Sequence, residues 1–244
     1  MTVQTAGMST RRHGMSPVIK VARLHLVDRF SYTWLVWGIL AFTFLVNYAI
    51  FAVIGPTEVD GSYTFALVSI YIFMAVIGVG AATRFLPFAF TLGVSRRTYY
   101  LGTVALVVGL CALYSVMLTA LWALELATDG WGIQMHFFQV AWLLWGPWYQ
   151  VLITNFVLLS LVFLVGLLYG LIYRRFALIG TILFSAALTL VIVGAVLLIS
   201  WQQWWPLVGE FLADLNLLAA TALLASVALV VALGGYGTIR RITV

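Results

Sequence analysis

The chain has 244 residues, 64% hydrophobic and only 8% charged, where an ordinary soluble domain carries about 25% charge. Six apolar segments nearly use up that length, each near the ~20 residues needed to cross ~30 Å of hydrocarbon, which excludes a soluble domain of useful size. The net charge of +5 is a topology signal facing an anionic leaflet rather than a nucleic-acid footprint.

In chain order, residues 1–16 are rich in Ser, Thr and Arg and read as a disordered basic arm. Residues 1–30 carry no apolar core of the kind a cleavable signal needs. Over 17–30, Val18, Val21, Ala22, Leu26 and Phe30 share a face while Lys20, Arg23 and Arg29 interleave. That pattern predicts an amphipathic helix on the inner membrane surface, the other reading being an unstructured leader that only fixes topology.

The first span is expected over 34–54, ending at the Gly55-Pro56 turn signal, and the second over 63–83. A cytoplasmic stretch over 84–100 leads to the third span, 101–124, and an outer loop over 125–139 follows. The fourth span is placed at 151–173, closed by Arg174 and Arg175, and the fifth at 177–200. The segment 201–216, WQQWWPLVGEFLADLN, is neither polar enough for open water nor long enough to span. It suits a short interfacial or re-entrant helix between the fifth and sixth spans. The sixth span, 217–236, ends on the Arg240-Arg241 anchor. The fold class is therefore all-α: a polytopic membrane protein with six transmembrane helices.

Charges set the orientation. All 12 Lys and Arg residues lie in the arm or in alternate gaps: Arg84, Arg96 and Arg97, then Arg174 and Arg175, then Arg240 and Arg241. The other gaps hold Glu58 and Asp60, Glu125 and Asp129, and Glu210 and Asp214, without a cation. Basic residues are retained inside during insertion, so both termini are expected in the cytoplasm. Arginine outnumbers lysine 11 to 1, which fits a GC-rich bacterial genome.

Catalytic chemistry is sparse. The span middles hold no Asp, Glu, Lys, Arg or His, and His13, His25 and His136 all fall outside them. This argues against a proton relay and an intramembrane hydrolase. The sequence has no HExxH and no GxxxxGK[ST], so neither a zinc site of that type nor ATP hydrolysis by that route is expected. Cys111 is alone within a span, which excludes an intramolecular disulfide. Asn47, Gln150 and Asn155 are the notable polar residues near the outer half, read either as interhelical hydrogen-bonding groups or as the lining of a pathway. Tryptophan crowds the outer ends, and Trp201, Trp204 and Trp205 with Glu210 form a candidate outer cap beyond what an aromatic belt requires.

The stretch FTLGVSRRTYYLGT over 90–103 resembles the corresponding segment of bacterial ABC exporter permeases, the kind serving drug, polysaccharide and haem export. The order of parts is similar after Pro17: amphipathic helix, two spans, coupling helix, four spans, and a short element before the last. The resemblance implies a half-size permease in the bacterial plasma membrane, paired with itself or a sister permease. It implies a coupling helix over Thr91 to Thr98 contacting a separate ATPase subunit, with Gly93, Ser95, Arg96 and Arg97 at the contact. ATP and magnesium would belong to that subunit, and this chain would hold no cofactor, no metal and no catalytic residue. Two other classes fit the same spans: a six-span small-molecule binding or uptake subunit, and a non-transporting membrane scaffold.

Overall fold

The computed structural model describes Val21 and residues 30–55, 62–140, 146–214 and 216–241. The expected basic arm and amphipathic helix lie outside the described residues except at Val21 and Phe30, as do Glu58, Asp60, Trp142 and Trp145.

Seven α-helices are described. They are α1 Val36–Ile54, α2 Val68–Gly80, α3 Leu86–Thr91, α4 Arg96–Ala127, α5 Trp148–Trp201, α6 Trp205–Asp214 and α7 Leu217–Arg240. A π-helical segment, Phe30–Leu35, leads into α1, and a second, Ala81–Phe85, joins α2 to α3 without a break in helical direction. Among the described residues, five helical stretches are long and apolar enough to cross a membrane: Thr33–Ile54, Val68–Thr91, Arg96–Ala127, Trp148–Trp201 and Leu217–Arg240. The protein is a polytopic helical membrane protein.

The 54-residue α5 covers two of the expected spans. It turns back at Ala177, whose φ of 54° and ψ of −158° are non-helical. Tyr169 and Phe184 then meet edge to face with centroids 5.4 Å apart, where fifteen residues of straight helix would separate them by roughly 22 Å. The first arm, 148–176, sits at the centre of the bundle against α2, α4 and α7. All buried residues of α5 lie between Val151 and Ile172; the second arm, 178–201, contributes none.

Small residues set the central contact. A Cβ on Gly166 would collide with the carbonyl oxygen of Ala75, and one on Gly78 with the carbonyl oxygen of Phe163. One on Gly170 would lie 2.8 Å from the carbonyl oxygen of Val79. Gly166 and Gly170 form a GxxxG pair that lets the backbones of α2 and α5 touch, the packing mode available where lipid is as apolar as leucine. The paired positions run in the same direction along both helices, so α2 and the first arm are parallel.

Several boundaries differ from the sequence expectation. The second span runs to Thr91 rather than 83, and the third begins at Arg96 rather than 101 and ends at Ala127 rather than 124. Thr91 to Thr98 is therefore not a separate helix. It is a tight corner, because Gly93 adopts φ 73° and closes a Schellman stop: its N–H donates to Phe90 O (3.0 Å) and that of Val94 to Ala89 O (3.1 Å). Ser95 then caps α4, accepting from the N–H of Thr98 at 3.2 Å. Outside the helices, a two-residue parallel ladder pairs β1, Ser62–Tyr63, with β2, Met135–His136.

Candidate functional site

One carboxylate organises the end of the bundle where α4 finishes. Glu125 occupies the last turn of α4 and is fully buried. Its Oε2 accepts from Trp131 Nε1 (3.1 Å), Phe137 N (2.9 Å) and Phe138 N (2.8 Å), and its Oε1 accepts from Gln139 N (3.1 Å). His136 Nδ1 stands 3.7 Å from Oε1. Four N–H donors replace the water that a buried carboxylate would otherwise lose, and charge-assisted bonds of this kind are about twice as strong as neutral ones.

The segment so held is strained. Asp129, Trp131 and Gln134 have φ of 50°, 62° and 55°, beside Gly130 and Gly132 at 71° and 76°. Left-handed backbone costs roughly 1–2 kcal/mol per non-glycine residue, so the clamp on Glu125 and the packing beneath it must hold the turn in place. Phe137 and Phe138 are buried, and Phe44 of α1 meets Trp131, Phe137 and Phe138 at centroid distances of 4.9, 5.3 and 6.1 Å. The result is an aromatic lid folded over the bundle. Under it, a groove of about 170 Å³ is lined by Trp37, Leu40, Phe44, Leu121, Trp131 and Phe138. The indole N–H of Trp131 is taken by Glu125, so the groove suits an apolar guest.

Asn47, Gln150 and Asn155 each have different neighbours. Asn155 is buried and accepts from Tyr71 OH at 2.6 Å while donating to Val151 O at 2.9 Å. Asn47 accepts from Thr64 Oγ1 at 2.9 Å and donates to Thr43 O at 2.8 Å. Both serve as hydrogen-bonding groups, Asn155 tying α5 to α2 and Asn47 tying α1 to the strand end after β1. Gln150 instead lines an apolar groove of about 190 Å³ between α5 and α7 with Val157, Leu218 and Thr221. Thr154 and Thr221 pair at 2.8 Å beside it.

The cap candidates gather where α5 ends and α6 begins. Trp201 ends α5, Gln203 turns at φ 56°, and Trp205 opens α6, its Nε1 donating to Ser200 Oγ at 3.1 Å. A short helix is present where one was expected, with Glu210 in its middle, and Trp201 is 82% exposed.

At the opposite end of the bundle, the corner after α3 gathers the coupling candidates. Thr91 donates to Phe88 O at 2.7 Å and Ser95 Oγ donates to Thr98 Oγ1 at 2.8 Å, so these hydroxyls serve the corner itself. Phe88 and Leu92 are exposed at its tip, as are Gly93 and Arg97, with Arg96 half-buried. Arg96 Nη1 donates to Arg240 O at 3.3 Å, which places the α3–α4 and α7 cations at one end of the molecule, as the charge pattern requires.

Sequence reasoning missed Glu125, grouping it with the solvated acids of the outer gap. Its only signal is position, in the last turn of an apolar helix end, ALWALELA over 120–127. It also missed the GxxxG of Gly166 and Gly170, which is legible in the sequence. Among the described residues no group of three or more His, Cys, Asp or Glu is placed to hold a metal. No protein-family model, no curated protein and no solved structure matches the chain.

Proposed function

We propose that the chain is the membrane subunit of an exporter in a bacterial plasma membrane, powered by a separate ATPase subunit. In this reading the two arms of α5 cross separately, giving six crossings with both termini in the cytoplasm. α6 lies at the outer interface or re-enters it, and a second permease copy or a sister permease completes the pathway. The observation that carries the reading is the α3–α4 corner. It puts exposed Phe88, Leu92 and Arg97 on a rigid, doubly capped turn at the basic end. An apolar tip flanked by a cation is a surface for a soluble protein, and a passive loop has no need of it.

Such a corner transmits force as a rigid lever. Nucleotide binding in the partner would press the corner, and α2–α3 and α4, held together by Tyr99 OH on Ala81 O at 2.6 Å, would move as one body. Purification of the tagged chain from its native membrane in mild detergent tests this directly. A stoichiometric soluble subunit with a Walker motif is expected, and Leu92→Glu with Arg97→Glu should release it while leaving membrane insertion intact. A chain that purifies alone, or a partner that stays bound to the double variant, sinks the assignment.

A second reading, a six-span small-molecule binding or uptake subunit, is favoured by the apolar groove beneath the Glu125-held lid. It expects tight ligand binding by the isolated chain and indifference to the corner variants.

A further inference from the structure

The basic end carries a second built feature, where α4 begins and α7 ends. Arg96 reaches the carbonyl oxygen of Arg240 at 3.3 Å. The guanidinium of Arg240 stands 5.7 Å from the centroid of Tyr236, and that ring lies 5.6 Å from Tyr100. Tyr100 OH donates to Ala232 O at 2.5 Å, closing the pair of helices below the arginines. A Cβ on Gly235 would lie 3.0 Å from that same hydroxyl, so the two helices approach closely here.

Among the described residues, no carboxylate pairs with the arginines of this corner. Arg97, Arg240 and Arg241 are exposed and Arg96 is half-buried. The Glu125 carboxylate, 3.7 Å from His136 Nδ1, stands at the far end of the bundle. Arg96 and Arg97 also sit in the first turn of α4, where the helix dipole disfavours cations. Toward the bundle middle the charge gives way to exposed Leu101 on α4 and exposed Val230 and Leu233 on α7. Cations at one depth with bare apolar side chains one to three turns deeper are what a lipid presents in complement: an anionic phosphate above, acyl chains below.

We infer that the α4–α7 corner is a binding site for the headgroup phosphate of an anionic membrane lipid, held by Arg96 and Arg240 with Arg241 adjoining. Guanidinium groups grip a phosphodiester through paired N–H bonds, and juxtamembrane cations attract anionic lipid. Tyr236, partly exposed beneath the Arg240 guanidinium, would take the interfacial place that aromatic rings favour. Free phosphate would satisfy the arginines but leave the apolar side chains uncovered. The site does not depend on the exporter reading, and it leaves Leu92 and Arg97 for a soluble partner.

The test is native mass spectrometry of the full chain in mild detergent, titrated with phosphatidylglycerol or phosphatidylcholine of identical acyl chains. Phosphatidylglycerol should be retained preferentially, and Arg96→Gln with Arg240→Gln should weaken it by about thirty-fold. Arg174→Gln with Arg175→Gln removes equal charge at the same end and should leave retention nearly unchanged. Equal losses from both pairs would mean a diffuse field and overturn the site, as would no loss from the first. Competition by soluble glycerol phosphate at matched concentration would make it a free-phosphate site instead. Release of an acidic soluble protein by the Arg96/Arg240 pair, with lipid retention unaltered, would reassign the corner to a protein partner. If the glutamine pair aggregates, Arg96→Lys with Arg240→Lys keeps the charge but loses the guanidinium fork, and faster phosphatidylglycerol loss is still expected. Retention equal to the unaltered chain would then reject the proposal.

Discussion

The two arms of α5 read alike in sequence, both apolar runs with scattered small and hydroxyl residues, yet the first is packed on several sides while the second is bare. Gly166 and Gly170 in the first arm have no room for a Cβ, while Gly194 in the second has nothing within 4 Å. Asn155 and Thr154 in the first are buried and bonded to other helices; Thr181 in the second donates to Ala177 O, four residues back on its own helix. Insertion and association are therefore separate problems. Apolarity carries both arms into lipid, but no hydrophobic force then drives helices together, so close packing and hydrogen bonds decide which arm becomes a core.

The comparison breaks first where the packed half is held hardest. Glu125→Ala strands four N–H donors and frees a strained turn, and should cost about 4 kcal/mol; thermal unfolding in detergent reads it. A loss below about 1 kcal/mol would mean that the aromatic packing, not the carboxylate, holds the lid. Gly166→Leu should cost about 3 kcal/mol by forcing α2 and α5 apart, whereas Gly194→Leu should leave the melting temperature unchanged. Equal effects would dissolve the distinction between the arms. Ala177→Gly relieves an alanine at φ 54° and ψ −158°, and should stabilise the reversal by about 1 kcal/mol. If it destabilises instead, the reversal is not where the helix turns. Smallest of all, Tyr71→Phe removes one interhelical hydrogen bond and should cost about 0.6 kcal/mol, seen as a shift of a degree or two.

Much of the fold was legible. The apolar stretches, the Gly55 stop, the break near Arg174-Arg175 and the short helix after Trp201 follow from local composition. The corner at Thr91 to Thr98 was legible only in part. Its Gly93 and Ser95 are helix stop and start signals, but the resemblance to a coupling segment drew them into one helix, and the geometry separates them. The candidate sites were far less readable. Asn47 and Asn155 drew attention as rare polar residues, and nothing in their spacing points to Thr64 or Tyr71. Glu125 looked like one more outer acid because its donors come from residues 131–139, folded back over it by left-handed turns.

Local composition is enough to mark a helical membrane protein, to place its apolar segments, and to put Arg96 and Arg240 at one end. Those properties are sums over consecutive residues, because transfer into lipid and retention of cations act segment by segment. Three things came from the folded chain instead: one arm of a long helix is the core, the Glu125 carboxylate anchors the loop that follows it, and arginines 144 residues apart share a corner. Each of these depends on a contact between distant segments. Its energy comes from close approach and directed hydrogen bonds, which composition does not encode.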